Sequence, residues 1–246
     1  MAARGDAIDG SLCFASLAAH AASATMVAPT DVSPPSLMIA MPCRAEIRAA
    51  VFPALLQCII SATSYWHRRF GDAMVTTQIL PRTHVVTARN LIAAEARAGG
   101  IDWVLWLDDD MAPPADLLER LHGTARPFVG AVAYRREPPF QPCVARIVEN
   151  RAEPFDPEPG PDGPVVPADL TGFACVLTHR SVLDAVWQRT DGRPFALVGD
   201  VGEDFHFCLQ ARKAGIQLHI LSDCVVGHAG DLIVGREHRL AALAAE

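Results

Sequence analysis

Lysine is nearly absent: the 246 residues contain one, Lys213. Arginines or a bound cation must therefore carry most of the neutralisation of any phosphate ligand. An excess of positive charge is missing too. The formal net charge is −7, which disfavours nucleic acid or an anionic membrane as a partner. No Cys-x-x-Cys pair occurs among the seven cysteines (Cys13, Cys43, Cys58, Cys143, Cys175, Cys208 and Cys224), so neither a zinc site nor a disulfide framework is indicated. Several lie in apolar runs and read as buried thiols of a reducing compartment, so a cytoplasmic location is expected. No apolar run approaches the ~20 residues of a membrane-spanning helix, and no internal repeat is present. What remains is 50% hydrophobic and 20% charged, a globular composition at a length that suits one α/β domain.

Residues 1–35 lack a hydrophobic period and are rich in Ala, Ser, Pro and Thr. The stretch from Leu12 to Ala24 has some look of a signal-peptide core, but Asp6 and Asp9 precede it and His20 interrupts it, so a mobile leader is expected. From residue 36 to 246 an α/β rhythm holds. Strands are expected over Leu37–Met41, Met74–Leu80, Trp103–Leu107, Phe128–Tyr134 and Leu170–Leu177. Helices are expected over Glu46–Ser61, from an N-cap at Thr87 to Gly99-Gly100, after Asp116, over Arg180–Trp187, and from Glu203 to Ala214-Gly215. The segment Glu149–Pro167, dense in Pro, Gly, Asp and Glu, reads as a surface loop.

The chemistry gathers at three places. Trp103–Leu107 is a short apolar strand that runs straight into Asp108-Asp109-Asp110. Carboxylates there sit at the carboxyl edge of a mostly parallel sheet, where open α/β sheets bind ligands. Alternate residues of extended backbone point the same way, so Asp108 and Asp110 can share a ligand while Asp109 points elsewhere. Adjacent like charges repel, and an all-oxygen ligand set suits Mg2+ or Mn2+. The second place is Gly202-Glu203-Asp204, a glycine before two acids that open a helix. Adjacent helical positions diverge, so one acid can cap the helix while the other faces a cleft. The third is Gly227-His228, following a short apolar strand; a neutral imidazole can complete a carboxylate metal site. Arg89, expected in a helix's first turn against the dipole's preference, implies an anion or acidic neighbour. Arg135-Arg136 ends a strand and can hold phosphate or sugar hydroxyls, and Gly172 allows a ligand or backbone close approach.

In this order the motifs resemble glycosyltransferases of the GT-A fold, close to the family 2-like group. The matching pieces are Ile39-Ala40-Met41-Pro42, Ala88-Arg89-Asn90, Leu107 to Asp110, Thr171-Gly172-Phe173, Gly202-Glu203-Asp204 and Gly227-His228. The resemblance implies a GT-A (Rossmann-like) single domain over 36–246, with a mixed, mostly parallel sheet flanked by helices. It implies transfer of a sugar from a nucleotide-diphosphate donor to an acceptor hydroxyl, with inversion expected because the chemistry needs no protein nucleophile. Asp108, Asp110 and His228 would hold Mn2+ or Mg2+; Asp204, or second to it Glu203, would be the base. Pro42, Arg44, Arg89, Asp108, Asp109, Arg135 and Gly172 would belong to the donor site. The chain departs from the family pattern after the first strand, where Cys43-Arg44 stands in place of an acidic residue.

Two other readings use the same residues. A non-catalytic module could keep the fold and bind nucleotide sugar or metal without turnover. A haloacid dehalogenase-type phosphohydrolase could use Asp108-x-Asp110. Against the latter, position 112 is Ala112, not the threonine that motif requires, and Lys213 lies after both acidic motifs instead of between them.

Overall fold

The computed structural model describes residues 33–230 and 233–245; most of the expected leader, residues 1–32, lies outside them. Residues 34–246 form one compact unit. In chain order the elements are β1 (Leu37–Cys43), α1 (Phe52–Phe70), β2 (Val75–Pro81), α2 (Val85–Ala98), β3 (Trp103–Leu107), β4 (Met111–Ala112), α3 (Leu117–Gly123), β5 (Phe128–Val132), β6 (Val144–Val148) and β7 (Arg151–Pro154). They continue with β8 (Val165–Ala168), β9 (Leu170–Thr171), β10 (Cys175–His179), α4 (Arg180–Arg189), α5 (Glu203–Lys213), β11 (Leu218–Val225), β12 (Gly227–Ala229), β13 (Ile233–Val234) and α6 (Arg236–Leu243).

The central sheet has seven strands in the order β2-β1-β3-β10-β5-β11-β8. The pairings β1/β2, β1/β3 and β5/β11 are parallel, while β10 and β8 run against their neighbours. Five strands thus point one way, and their carboxyl ends share one edge. Period-2 alternation divides the core between two faces. Met38, Ala40, Val104, Trp106 and Phe128 face one side with residues of α2, α4 and α5. Leu37, Ile39, Met41, Leu105 and Leu107 face the other with residues of α1 and α3. Both faces of β3 are covered, which is why it reads as an unbroken apolar run.

Several boundaries differ from the sequence expectation. The first helix spans Phe52–Phe70, not Glu46–Ser61, because Pro53 sits in its first turn, where a missing N–H costs nothing. Helix α2 starts at Val85 with His84 as its N-cap, three residues before the expected N-cap Thr87, after a turn in which Arg82 has φ 54°. Arg89 therefore lies in the second turn. The expected loop 149–167 contains two strands. Glu149 (φ 49°) and Asn150 (φ 64°) make a two-residue hairpin turn between β6 and β7. Strand β8 closes the edge of the main sheet, where Pro167 is tolerated. The expected strand Leu170–Leu177 is broken in two. Its first part, β9, pairs with β6 in a separate sheet and its second, β10, pairs with β3 and β5.

Candidate functional site

The chain order brings the three motifs to one edge. β3 delivers Asp108–Asp110. Because β10 is antiparallel to β3, Cys175 pairs with Leu107 and the Gly172–Ala174 break lies at the same edge, with Asp108 N–H donating to Ala174 O at 3.0 Å. Helix α5 starts there, and β11 leads into Gly227-His228, with β12 pairing onto β4 immediately after the aspartates.

Each aspartate has its own partner. Asp108 accepts from Arg89 Nη2 at 2.8 and 3.1 Å. Burial outweighs that cation, so the Asp108 carboxyl is pushed up to about 6. Asp109 turns away and accepts the Arg44 backbone N–H at 2.9 Å, fixing the turn after β1. Asp110 faces His228, with Oδ2 3.3 Å from Nε2, and Arg136, also at 3.3 Å. The other ring nitrogen of His228 lies 2.7 Å from Tyr134 O. Nδ1–H must donate to that carbonyl, so in the neutral ring Nε2 presents a lone pair toward the Asp110 carboxylate. Two acceptors 3.3 Å apart need a proton or a cation between them. Burial disfavours the charge on His228, but the Asp110 carboxylate and the Tyr134 carbonyl outweigh it, so its pKa rises. Burial likewise works against the charge on Asp110, and His228 with Arg136 overcomes it, so its pKa falls.

The spacing of this pair is compatible with one divalent cation. Two ligands each about 2.1 Å from an ion and roughly at right angles lie about 3 Å apart. Among the described residues no three His, Cys, Asp or Glu side chains form a metal-holding group. Asp108 is engaged by Arg89. A cation here would find only one carboxylate and one imidazole of the protein, with Arg136 already 3.3 Å from that carboxylate.

The second acidic motif is split as well. Glu203 is held by Arg89, Oε1 to Nη1 at 2.7 Å, with 15% of its side chain exposed. Among the described residues Asp204 is paired with no cation. Its Oδ1 accepts the Phe205 N–H at 2.7 Å, and its Oδ2 lies beside Gly172, where a Cβ would sit 3.5 Å away. Burial raises the Asp204 pKa, with Arg89 opposing and Glu203 adding to the rise.

Two clefts open on these groups. One of about 550 Å³ is lined by Pro42, Arg44, Arg82, Thr83, His84, Val85 and the three aspartates. The other, about 370 Å³, is lined by Arg135, Pro142, Cys143, Gly172, Asp200, Gly202, Asp204 and Phe205 with parts of β6 and β7. Of the expected donor-site residues, Pro42, Arg44, Asp108 and Asp109 share the first cleft, and Arg135 and Gly172 lie in the second. Arg89 is 2% exposed and lines neither. Sequence reading missed Arg82, Thr83 and His84. Their place between a parallel strand and the following helix was the available signal, since such turns lie at the ligand edge. It also missed Arg136 as the partner of Asp110, and Arg48, whose Nη1 donates to Gly230 O at 2.8 Å behind the His228 segment. Cys143, in the second cleft, is pushed up to about 11 chiefly by burial and is no thiolate nucleophile at neutral pH.

No protein-family model matches the chain, and no curated protein does. Solved structures do. "Crystal Structure of A197 from STIV" superposes with a TM-score of 0.55 at 16% identity, over 82% of this chain and 91% of that one. With the strand order and the acidic strand end already in place, that likeness decides the architecture. The chain has the GT-A fold. Looser likenesses of the GT-A domain are to "GalNAc-T7 with UDP, GalNAc and Mn2+" (TM-score 0.47, 10% identity, 87% of this chain and 48% of that one) and to the "catalytic domain of Drosophila beta1,4galactosyltransferase 7 complex with xylobiose" (0.44, 14%, 80% and 71%). Among the described residues of this GT-A chain no helix is long and apolar enough to cross a membrane.

Proposed function

We propose that the protein is a cation-assisted, inverting glycosyltransferase that moves a sugar from a nucleoside diphosphate to an acceptor hydroxyl. The observation that carries this reading is the position of Asp204. Among the described residues it is the acid of the second motif left without a cationic partner, and it faces a cleft separate from the one on Asp108–Asp110. A donor and an acceptor can then approach from two sides.

In this reading the nucleoside diphosphate occupies the cleft between Pro42, Arg82, His84 and Asp110. Arg44 and Arg82 meet its negative charge, as a chain with one lysine requires. Asp110 and His228 would hold the Mn2+ or Mg2+, which when bound neutralises charge on the leaving diphosphate. Asp204 accepts the acceptor's hydroxyl proton as its oxygen attacks the anomeric carbon, and its raised pKa makes it a better proton acceptor than an ordinary carboxylate. Glu203, tied to Arg89, orients the start of α5. No protein nucleophile is required, so the anomeric configuration inverts.

A panel of UDP, GDP, CDP, ADP and TDP with manganese, read by thermal shift, tests this directly, because a ligand that binds only the folded state raises its melting temperature. At least one diphosphate should do so, and excess chelator should abolish the shift. A panel with no response, or full binding in chelator, contradicts the proposal. Slow manganese-dependent hydrolysis of the matching nucleotide sugar then separates a transferase from a module that only binds.

A further inference from the structure

We infer that Arg89 is a positioning residue: its buried guanidinium ties the acidic end of β3 to the acidic start of α5, and so sets where Asp204 points. This rests on the reading of Asp204 as the base. A residue that bound donor would present a polar atom to a cleft. Arg89 presents none, with 3% of its side chain exposed and each Nη committed inward, Nη1 to Glu203 and Nη2 to Asp108. Its Cζ lies 5.6 Å from the Phe173 ring centroid and 5.8 Å from that of Phe195, and both rings are buried. The fork is thus walled by aromatics as well as held by carboxylates.

The next residue extends the clamp. Asn90 Nδ2 donates to Phe195 O at 2.7 Å, and Phe195 N–H donates back to Asn90 Oδ1 at 3.0 Å. Phe195 belongs to the loop that leads into α5. Two consecutive residues of α2 therefore fix both the loop entering α5 and its first turn. Buried ion pairs are weak sources of stability, whereas a planar fork with separated donors fixes geometry that a single ammonium cannot reproduce. A displacement of about 1 Å at a reacting group can cost on the order of a hundredfold in rate.

The test uses Arg89→Lys and Glu203→Ala in the full chain, with three measurements. These are affinity for the diphosphate selected by the thermal-shift panel, hydrolysis or transfer from bound donor, and amide hydrogen exchange across α5. The expected result is affinity within about threefold of the parent, a rate from bound donor lower by at least tenfold, and faster exchange in the first turn of α5 for both variants. If affinity collapses while the rate from bound donor is unchanged, Arg89 is a ligand contact and the inference is wrong. Unchanged α5 exchange in both variants also overturns it. Should Arg89→Lys not fold, Glu203→Ala, which removes one end of the tie at the cleft edge, decides alone. Faster α5 exchange in a chain that turns over no donor would support the tie while refuting the transferase reading.

Discussion

Replacing Asp204 by Asn separates base chemistry from every other role of the second acidic motif. Asparagine keeps the size, and its Oδ1 can still accept the Phe205 N–H that the aspartate accepts at 2.7 Å. The space beside Gly172 holds an amide as readily as a carboxylate, because even a Cβ added to Gly172 would stand 3.5 Å from Oδ2, an ordinary contact. Loss of the negative charge at the α5 N-terminus costs about 0.3–1 kcal/mol of dipole interaction. Relief of the burial penalty on that charge works in the opposite direction, so stability should change by less than about 1 kcal/mol. Donor binding should survive, since Asp110, His228 and the 550 Å³ cleft are untouched. Turnover should fall by roughly a hundredfold or more, which is about 2.7 kcal/mol of barrier at about 1.36 kcal/mol per tenfold. Glu203→Gln should cost less, because its oxygen can still accept from Arg89. Calorimetry with manganese gives donor affinity, and single-turnover transfer gives the chemical step. A normal rate in Asp204→Asn with a dead Glu203→Gln would reverse the assignment. Normal rates in both would reduce the motif to a helix start and remove the base from the proposed mechanism.

His228→Ala should weaken manganese and diphosphate binding together, read by calorimetry, with the ligand-free melting temperature little changed; a large ligand-free loss with normal metal affinity would make His228 structural. Gly172→Ala should fold normally, because its Cβ would meet Asp204 and Cys143 at 3.5 Å and no positive φ is involved, but it should slow transfer by narrowing the second cleft, measured as a rate loss at unchanged donor affinity. The His122 imidazole, hydrogen-bonded to Tyr65 Oη at 2.9 Å and edged by Trp66, Phe70 and Trp103, is held below its usual pKa first by burial and then by Arg69. The unfolded chain binds that proton more readily, so this contribution is complete above the unfolded pKa of about 6.5 and is lost as pH falls through the lower folded value. Melting temperature should accordingly drop less between pH 7.5 and pH 5.5 in His122→Phe than in the parent, and an equal drop would refute the assignment.

The sequence by itself determined what depends on local order. Trp103–Leu107 is apolar on both faces because β3 is covered on both faces, and Asp108–Asp110 follow it directly, so the strand and its acidic end were legible together. Helix α5 and its paired acids were legible for the same reason, a glycine followed by charges that suit a helix start. The reversed strand β10 was not legible, because a five-residue run carries no direction; only pairing with β3 and β5 gives it one. That reversal is what places Gly172 against Asp204. The β6–β7 hairpin was hidden because β7 is wholly exposed and shows no alternation to read. Above all, tertiary structure decided which partner each acid has. Asp108 and Glu203 are 95 residues apart, and no spacing rule joins them; a buried Arg89 on a third element does. The ion pairs that took Asp108 and Glu203 left Asp110 with His228 and Arg136 and Asp204 facing the second cleft, an outcome set by which side chains the fold brings within about 3 Å of one another.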